Sequence, residues 1–258
     1  MTFWRSLKAT YKDSVAFLIA CPLLALVPTF FEILQHIVEV HIGMYGGIAA
    51  ARATEHDPLR MAFGFVKVIA LMVPGYWITR FLVRHDAAFA RRVDPRAIQL
   101  FAGWLFFSAL LAGVQLFALP QGGAGQLVAI LLGEIVTCLL LGWAVAAPLG
   151  SASIGPFRSI AIMGRRLPWT FFFMLAAILP LMVPHYIFAA LAILGPKSLL
   201  WPIMLLDSLL VAWLTAVMIA AGYHAAIRAT DLAGFSVILG AGTTNEIEMP
   251  AKISNQIS

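Results

Sequence analysis

Residues 198–227 read SLLWPIMLLDSLLVAWLTAVMIAAGYHAAI, thirty positions in which Asp207 is the one acidic or basic side chain besides His224. At ~1.5 Å per residue a helix of this length runs about 45 Å, against roughly 30 Å for the hydrocarbon core of a bilayer. A stretch so long and so apolar is a membrane span. Working outward, five further runs carry the same signature, at 14–34, 61–79, 98–119, 126–149 and 168–193. The expected fold is all-α: a polytopic membrane bundle of six transmembrane helices.

Composition agrees. Of 258 residues 62% are hydrophobic and 11% charged, with a mean hydropathy of +0.93, where soluble domains average about 45–50% apolar and about 25% charged. A soluble globular domain is excluded. The net charge of +5 would suggest nucleic acid in a soluble chain, but here Lys and Arg gather in loops, where they set orientation and meet anionic lipid. No nucleic-acid partner is expected. Thirteen Lys and Arg fall on one side of the spans: Arg5, Lys8 and Lys12, then Arg80, Arg84, Arg91, Arg92 and Arg96, then Arg158, Arg165 and Arg166, then Arg228 and Lys252. Only Arg52, Arg60 and Lys197 fall on the other. This alternation predicts that both termini are cytoplasmic.

Three units are expected. Residues 1–13 form an interfacial amphipathic helix, with Phe3, Trp4, Leu7 and Tyr11 on one face and Arg5, Lys8 and Lys12 beside it. Residues 14–228 form the six-helix transmembrane domain, and 229–258 a cytoplasmic tail, disordered from about 243. The first span is read as retained: its apolar stretch exceeds a signal-peptide core and no small-x-small cleavage site follows. Pro74, Pro180 and Pro184 lie inside spans and are expected to kink or open them.

Ionisable side chains inside spans mark candidate sites because insertion costs about 2.5–3.5 kcal/mol each. Lys67, Glu134, His185 and Asp207 all fall about 9–14 Å below the outer face at ~1.5 Å per residue, so they define a candidate midplane polar site. Lys67 is expected to pair with Glu134 or Asp207. A second group, Glu32, His36, Glu39 and His41, falls at the outer end of the first span and is expected to be water-exposed. Glu32 and His36 stand four apart on one face, the spacing of a metal-binding or proton-relay pair, but the exposed interfacial reading is preferred; no CxxC pair and no paired histidines at metal spacing occur, and Cys21 and Cys138 lie singly in apolar runs. His36 and His185 alone stand at comparable depth near one leaflet, so haem is not expected. Ala212, Ala216 and Ala220 form a small-residue ridge suited to close helix packing.

Residues 71–76, LMVPGY, recur as 181–186, LMVPHY. A shift of three spans would relate halves of opposite orientation, an inverted repeat of the kind found in transporters. Residues 155–169, GPFRSIAIMGRRLPW, followed directly by a span, resemble a pattern in bacterial six-span proteins related to the membrane domain of glycerophosphodiester phosphodiesterases. In that family a small cytoplasmic amphipathic helix with an Arg-Ser pair, here Arg158 and Ser159, runs into a basic turn and an aromatic residue opening the fifth span. The amphipathic N-terminus and Gly222-Tyr223-His224 are also similar. The resemblance implies a six-helix module of the bacterial inner membrane; the phosphodiesterase domain has no counterpart in this sequence, so that activity is not implied.

No nucleophile elbow, P-loop, HExxH or dinucleotide fingerprint occurs. The sequence therefore predicts no enzyme, no cofactor and no metal. Its expected role is a non-catalytic integral membrane module, an accessory or scaffold subunit that packs beside another integral membrane protein or acts on envelope lipid organisation. The competing expectation is a small inverted-repeat permease, or a proton- or cation-coupled transporter, using the midplane site.

Overall fold

The computed structural model describes residues 2–119 and 123–235, and every described element is helical. In chain order these are α1 (Phe3–Ala20), α2 (Pro22–His41), α3 (Ile48–Ala53), α4 (Pro58–Met72), α5 (Gly75–Arg84), α6 (Ala87–Arg91), α7 (Pro95–Phe117), α8 (Gly123–Ala146), α9 (Pro156–Gly164), α10 (Leu167–Leu194) and α11 (Leu200–Leu232). Among the described residues six segments are long and apolar enough to cross a membrane: Pro22–His41, Pro58–Arg84, Pro95–Phe117, Gly123–Leu149, Leu167–Leu194 and Lys197–Leu232. The protein is a multi-pass helical membrane protein.

Local chemistry sets the helix starts. Asp57 and Asp94 each precede a proline, and their carboxylates accept the next free backbone N–H groups, from Leu59 and Arg60 and from Arg96 and Ala97. Proline at the first helical position loses nothing, since its missing N–H has no partner there anyway. Prolines further in act unevenly. Pro74 separates α4 from α5, whereas α10 runs unbroken through Pro180 and Pro184. The two copies of the Leu-Met-Val-Pro echo thus adopt different local structures.

The first span lies about two helical turns further along than the sequence predicts. Helix α1 does not stop at residue 13 but continues to Ala20, and Cys21 leaves helical geometry (φ −133°, ψ 54°) directly before Pro22 opens α2. The cause is Pro22: its ring disfavours helix at the preceding residue, so the apolar run beginning at residue 14 is cut there. Residues 14–20 belong to the N-terminal helix, and the span is Pro22–His41.

Helix α11 is the hub. It packs against α1, α2, α5, α8 and α10, and Ala212, Ala216 and Ala220 are all buried within it. At the end of the bundle that carries the N-terminus, Asp13 of α1 accepts hydrogen bonds through its two oxygens from His85 Nε2 (3.1 Å) and His224 Nε2 (2.9 Å), joining α1, the end of α5 and α11. Tyr11 donates to the carbonyl of Ala177 at 2.8 Å, fixing α1 to α10, and burial raises its phenol above the ordinary value. Trp4, by contrast, stays exposed. Helix α9 docks on α8 through Ser159, which donates to Leu139 O (2.7 Å) and accepts from Trp143 N–H (3.2 Å). The contact needs Gly142, where a Cβ would stand 3.0 Å from Ser159 Oγ.

The tail from residue 236 onward, including the segment expected to be disordered, lies outside the described residues.

Candidate functional site

Helix α2 carries Glu32, Gln35, His36 and Glu39 at spacings of three and four, one stripe of a 3.6-residue helix. All four are buried, Glu32 to 1% exposure. In water an amphipathic helix hides its apolar face; this helix, surrounded by hydrocarbon, turns its polar face inward.

Around that stripe the other helices supply partners. Lys67 of α4 places Nζ 3.2 Å from Glu32 Oε1. Arg60, one turn into α4, places Nε 3.2 Å from Glu39 Oε1, and Gln35 donates to the same oxygen at 3.1 Å. Tyr45, in the turn after α2, donates to Glu39 Oε2 at 2.5 Å. Its phenol is raised above the ordinary value by burial and by the neighbouring Glu39 carboxylate, so it remains a donor. Lys197 donates to the Tyr45 carbonyl, closing the loop over the site. Asp207 of α11 is 2% exposed; its Oδ1 lies 2.7 Å from His185 Nδ1 on α10, and its Oδ2 3.4 Å from His36 Nε2. His36 Nδ1 meets Glu39 Oε2 at 3.3 Å and Tyr45 Oη at 3.1 Å.

Four spans therefore converge on one buried polar cluster. Its three carboxylates, Glu32, Glu39 and Asp207, face two fixed cations, Lys67 and Arg60. Satisfaction is incomplete: Glu32 Oε2, Gln35 Oε1 and His36 Nε2 are buried without a hydrogen bond. Buried polar atoms are normally paired, so each such atom needs a reason. Glu32, His36 and Asp207 each present one ligand atom, all within 4.8 Å of one another, which is a set able to hold a metal ion.

The midplane site expected from sequence is thereby corrected. Lys67 pairs with Glu32, not with Glu134 or Asp207. Glu134 lies on an exposed flank of α8, outside the cluster, because the face of a helix depends on rotation and not on depth. His185 and Asp207 do meet. The Glu32, His36 and Glu39 group is buried rather than water-exposed, while His41 is exposed and takes no part. The signal that could have found it is the 32/35/36/39 spacing, combined with a span beginning at Pro22.

A separate cavity of about 350 Å³ opens between the second, third, fourth and sixth spans. Its lining includes Met72, Gly75, Phe101, Trp104, Ala144 and Met218, and it is overwhelmingly apolar. It extends along α11 from Thr215 to Tyr223, towards the end opposite Asp207. A smaller apolar cavity of about 250 Å³ lies between α2 and α4. Neither cavity is lined by a residue of the polar cluster.

No protein-family model, curated protein or solved structure matches the chain.

Proposed function

We propose that the protein is a non-catalytic integral module of a bacterial inner membrane that acts on envelope lipid, taking a lipid acyl chain into the cavity between its second, third, fourth and sixth spans. The cavity itself carries this reading. About 350 Å³ of apolar space falls within the size range of small-molecule sites, roughly 300–1,000 Å³, and the solvent surrounding a membrane helix is hydrocarbon chain. The third span supports it: only 6% of its apolar window is buried, so this helix borders the cavity while most of its surface faces lipid or a neighbouring membrane protein. The resemblance of residues 155–169 to the membrane domain of glycerophosphodiester phosphodiesterases belongs to the same proposal, as a six-span module without the soluble domain. A proton- or cation-coupled permease would need wet space beside its charges. Here Lys67–Glu32 and His185–Asp207 are directly paired and the two cavities described above are lined by none of these residues, which favours the lipid reading.

The test is to fill the cavity. Ala144→Trp should leave the protein folded in mild detergent but remove a lipid that co-purifies with the wild type and is detected by native mass spectrometry. Equal lipid retention by the two proteins would exclude acyl-chain binding at this place.

A further inference from the structure

Glu32, His36 and Asp207 are arranged as first ligands whose other atoms are already held. Glu32 Oε1 accepts from Lys67, His36 Nδ1 lies against Glu39 and Tyr45, and Asp207 Oδ1 is bonded to His185 at 2.7 Å. What remains lies close together: one ligand atom from each of the three residues stands within 4.8 Å of the others, Glu32 Oε2 and His36 Nε2 have no hydrogen-bond partner, and Asp207 Oδ2 stands 3.4 Å from His36 Nε2. Two ligands of a tetrahedral ion at ~2.1 Å are separated by about 3.4 Å. The His36–Asp207 separation is already at that value, and the Glu32 carboxylate approaches His36 Nε2 to 3.8 Å through Oε1, the oxygen that also accepts from Lys67. Outer partners that fix each ligand's orientation, especially a carboxylate on the second nitrogen of a histidine, are what metal sites use to aim their ligands. Charge is compatible: with His36 neutral, as a ligand must be, three carboxylates stand against Lys67 and Arg60, with Lys197 on the Tyr45 carbonyl beside them.

We propose that Glu32, His36 and Asp207 form a binding site for a divalent transition-metal cation of the Zn²⁺ class, tying the first span to the sixth. One imidazole with two carboxylates suits such an ion better than Mg²⁺ or Ca²⁺, which favour all-oxygen sets. The site is independent of the acyl-chain cavity, so either proposal can fail alone.

The full chain, purified in mild detergent and stripped with chelator, should bind one Zn²⁺ in calorimetry with excess Mg²⁺ present, and Co²⁺ in its place should give visible absorption bands of low coordination number. His36→Ala and Asp207→Asn should abolish both signals. His185→Ala, which removes an outer partner, should weaken Zn²⁺ affinity about 10–100-fold, and Glu134→Gln, on the exposed flank of α8, should leave it unchanged. The wild type carries a readout that does not depend on the ligand variants folding, a rise in thermal midpoint on adding Zn²⁺. Absence of Zn²⁺ binding and of that rise in the wild type, retention of binding by both ligand variants, or displacement by Mg²⁺ would overturn the proposal.

Discussion

Lys67 shows how little depth says without a partner. Its ammonium, half-buried on α4, is 3.2 Å from a carboxylate that is 1% exposed, so each group makes the other tolerable in hydrocarbon. Removing one member strands the other. Lys67→Met should therefore lower stability by about 1–3 kcal/mol, the cost of leaving a buried charged partner unsatisfied, read as a fall in thermal midpoint in detergent. Adding Glu32→Gln should recover part of that loss, since deleting both members of a buried pair costs less than breaking it. Strictly additive losses would show that the two do not interact. Glu134→Gln supplies the contrast: lying outside the cluster, it should recover none of the loss caused by Lys67→Met.

Elements are held by polar contacts at both ends of the bundle. At the N-terminal end Asp13 accepts from His85 and His224 at once, and with the Tyr11 hydroxyl it clamps α1 onto the core. Asp13→Ala leaves two histidines without their acceptor, and backbone amides of α1 should exchange hydrogen faster than those of α11, which keeps its packing. Unchanged α1 protection would assign the clamp to the Tyr11 hydroxyl instead. Helix α9 depends on a different device, the notch at Gly142. Gly142→Val forces side-chain atoms against Ser159, and overpacking of this kind costs about 1–3 kcal/mol. The measurable result is proteolysis at Arg158 or Arg165 as α9 comes away. Steric relief by pairing it with Ser159→Ala should restore part of the protection.

At the scale of the whole molecule, the charge bias predicts the connection after α3 on the outer side and the basic connection between α5 and α7 on the inner side. Single cysteines placed at Glu55 and Arg92, in a background lacking Cys21 and Cys138, should then label from opposite sides of sealed cells. Labelling of both from one side would overturn the orientation. The polar cluster stands in the outer half on this topology and the apolar cavity in the inner half, with α11 passing both. The least buried span, α7, is the surface left for lipid or for a second membrane protein.

Six spans and the helical class were legible in the sequence because hydrophobic length is a property of single segments, independent of what packs beside them. Proline alone did not decide the breaks: Pro74 divides its span, whereas α10 runs through Pro180 and Pro184. The chain did not disclose where the first span begins, since the apolar run from residue 14 is continuous and Pro22 divides it in favour of α1 and α2. That shift of eight residues moved Glu32, His36 and Glu39 from the expected membrane edge into the bundle. Nor did depth reveal direction. Glu134 and Asp207 share a layer by residue count, yet one faces outward and the other meets His36 and His185, because rotation about each helix axis follows from which neighbours it packs against. Depth was written in the sequence; the meeting of Glu32, His36 and Asp207 was decided only when α2 and α11 came together.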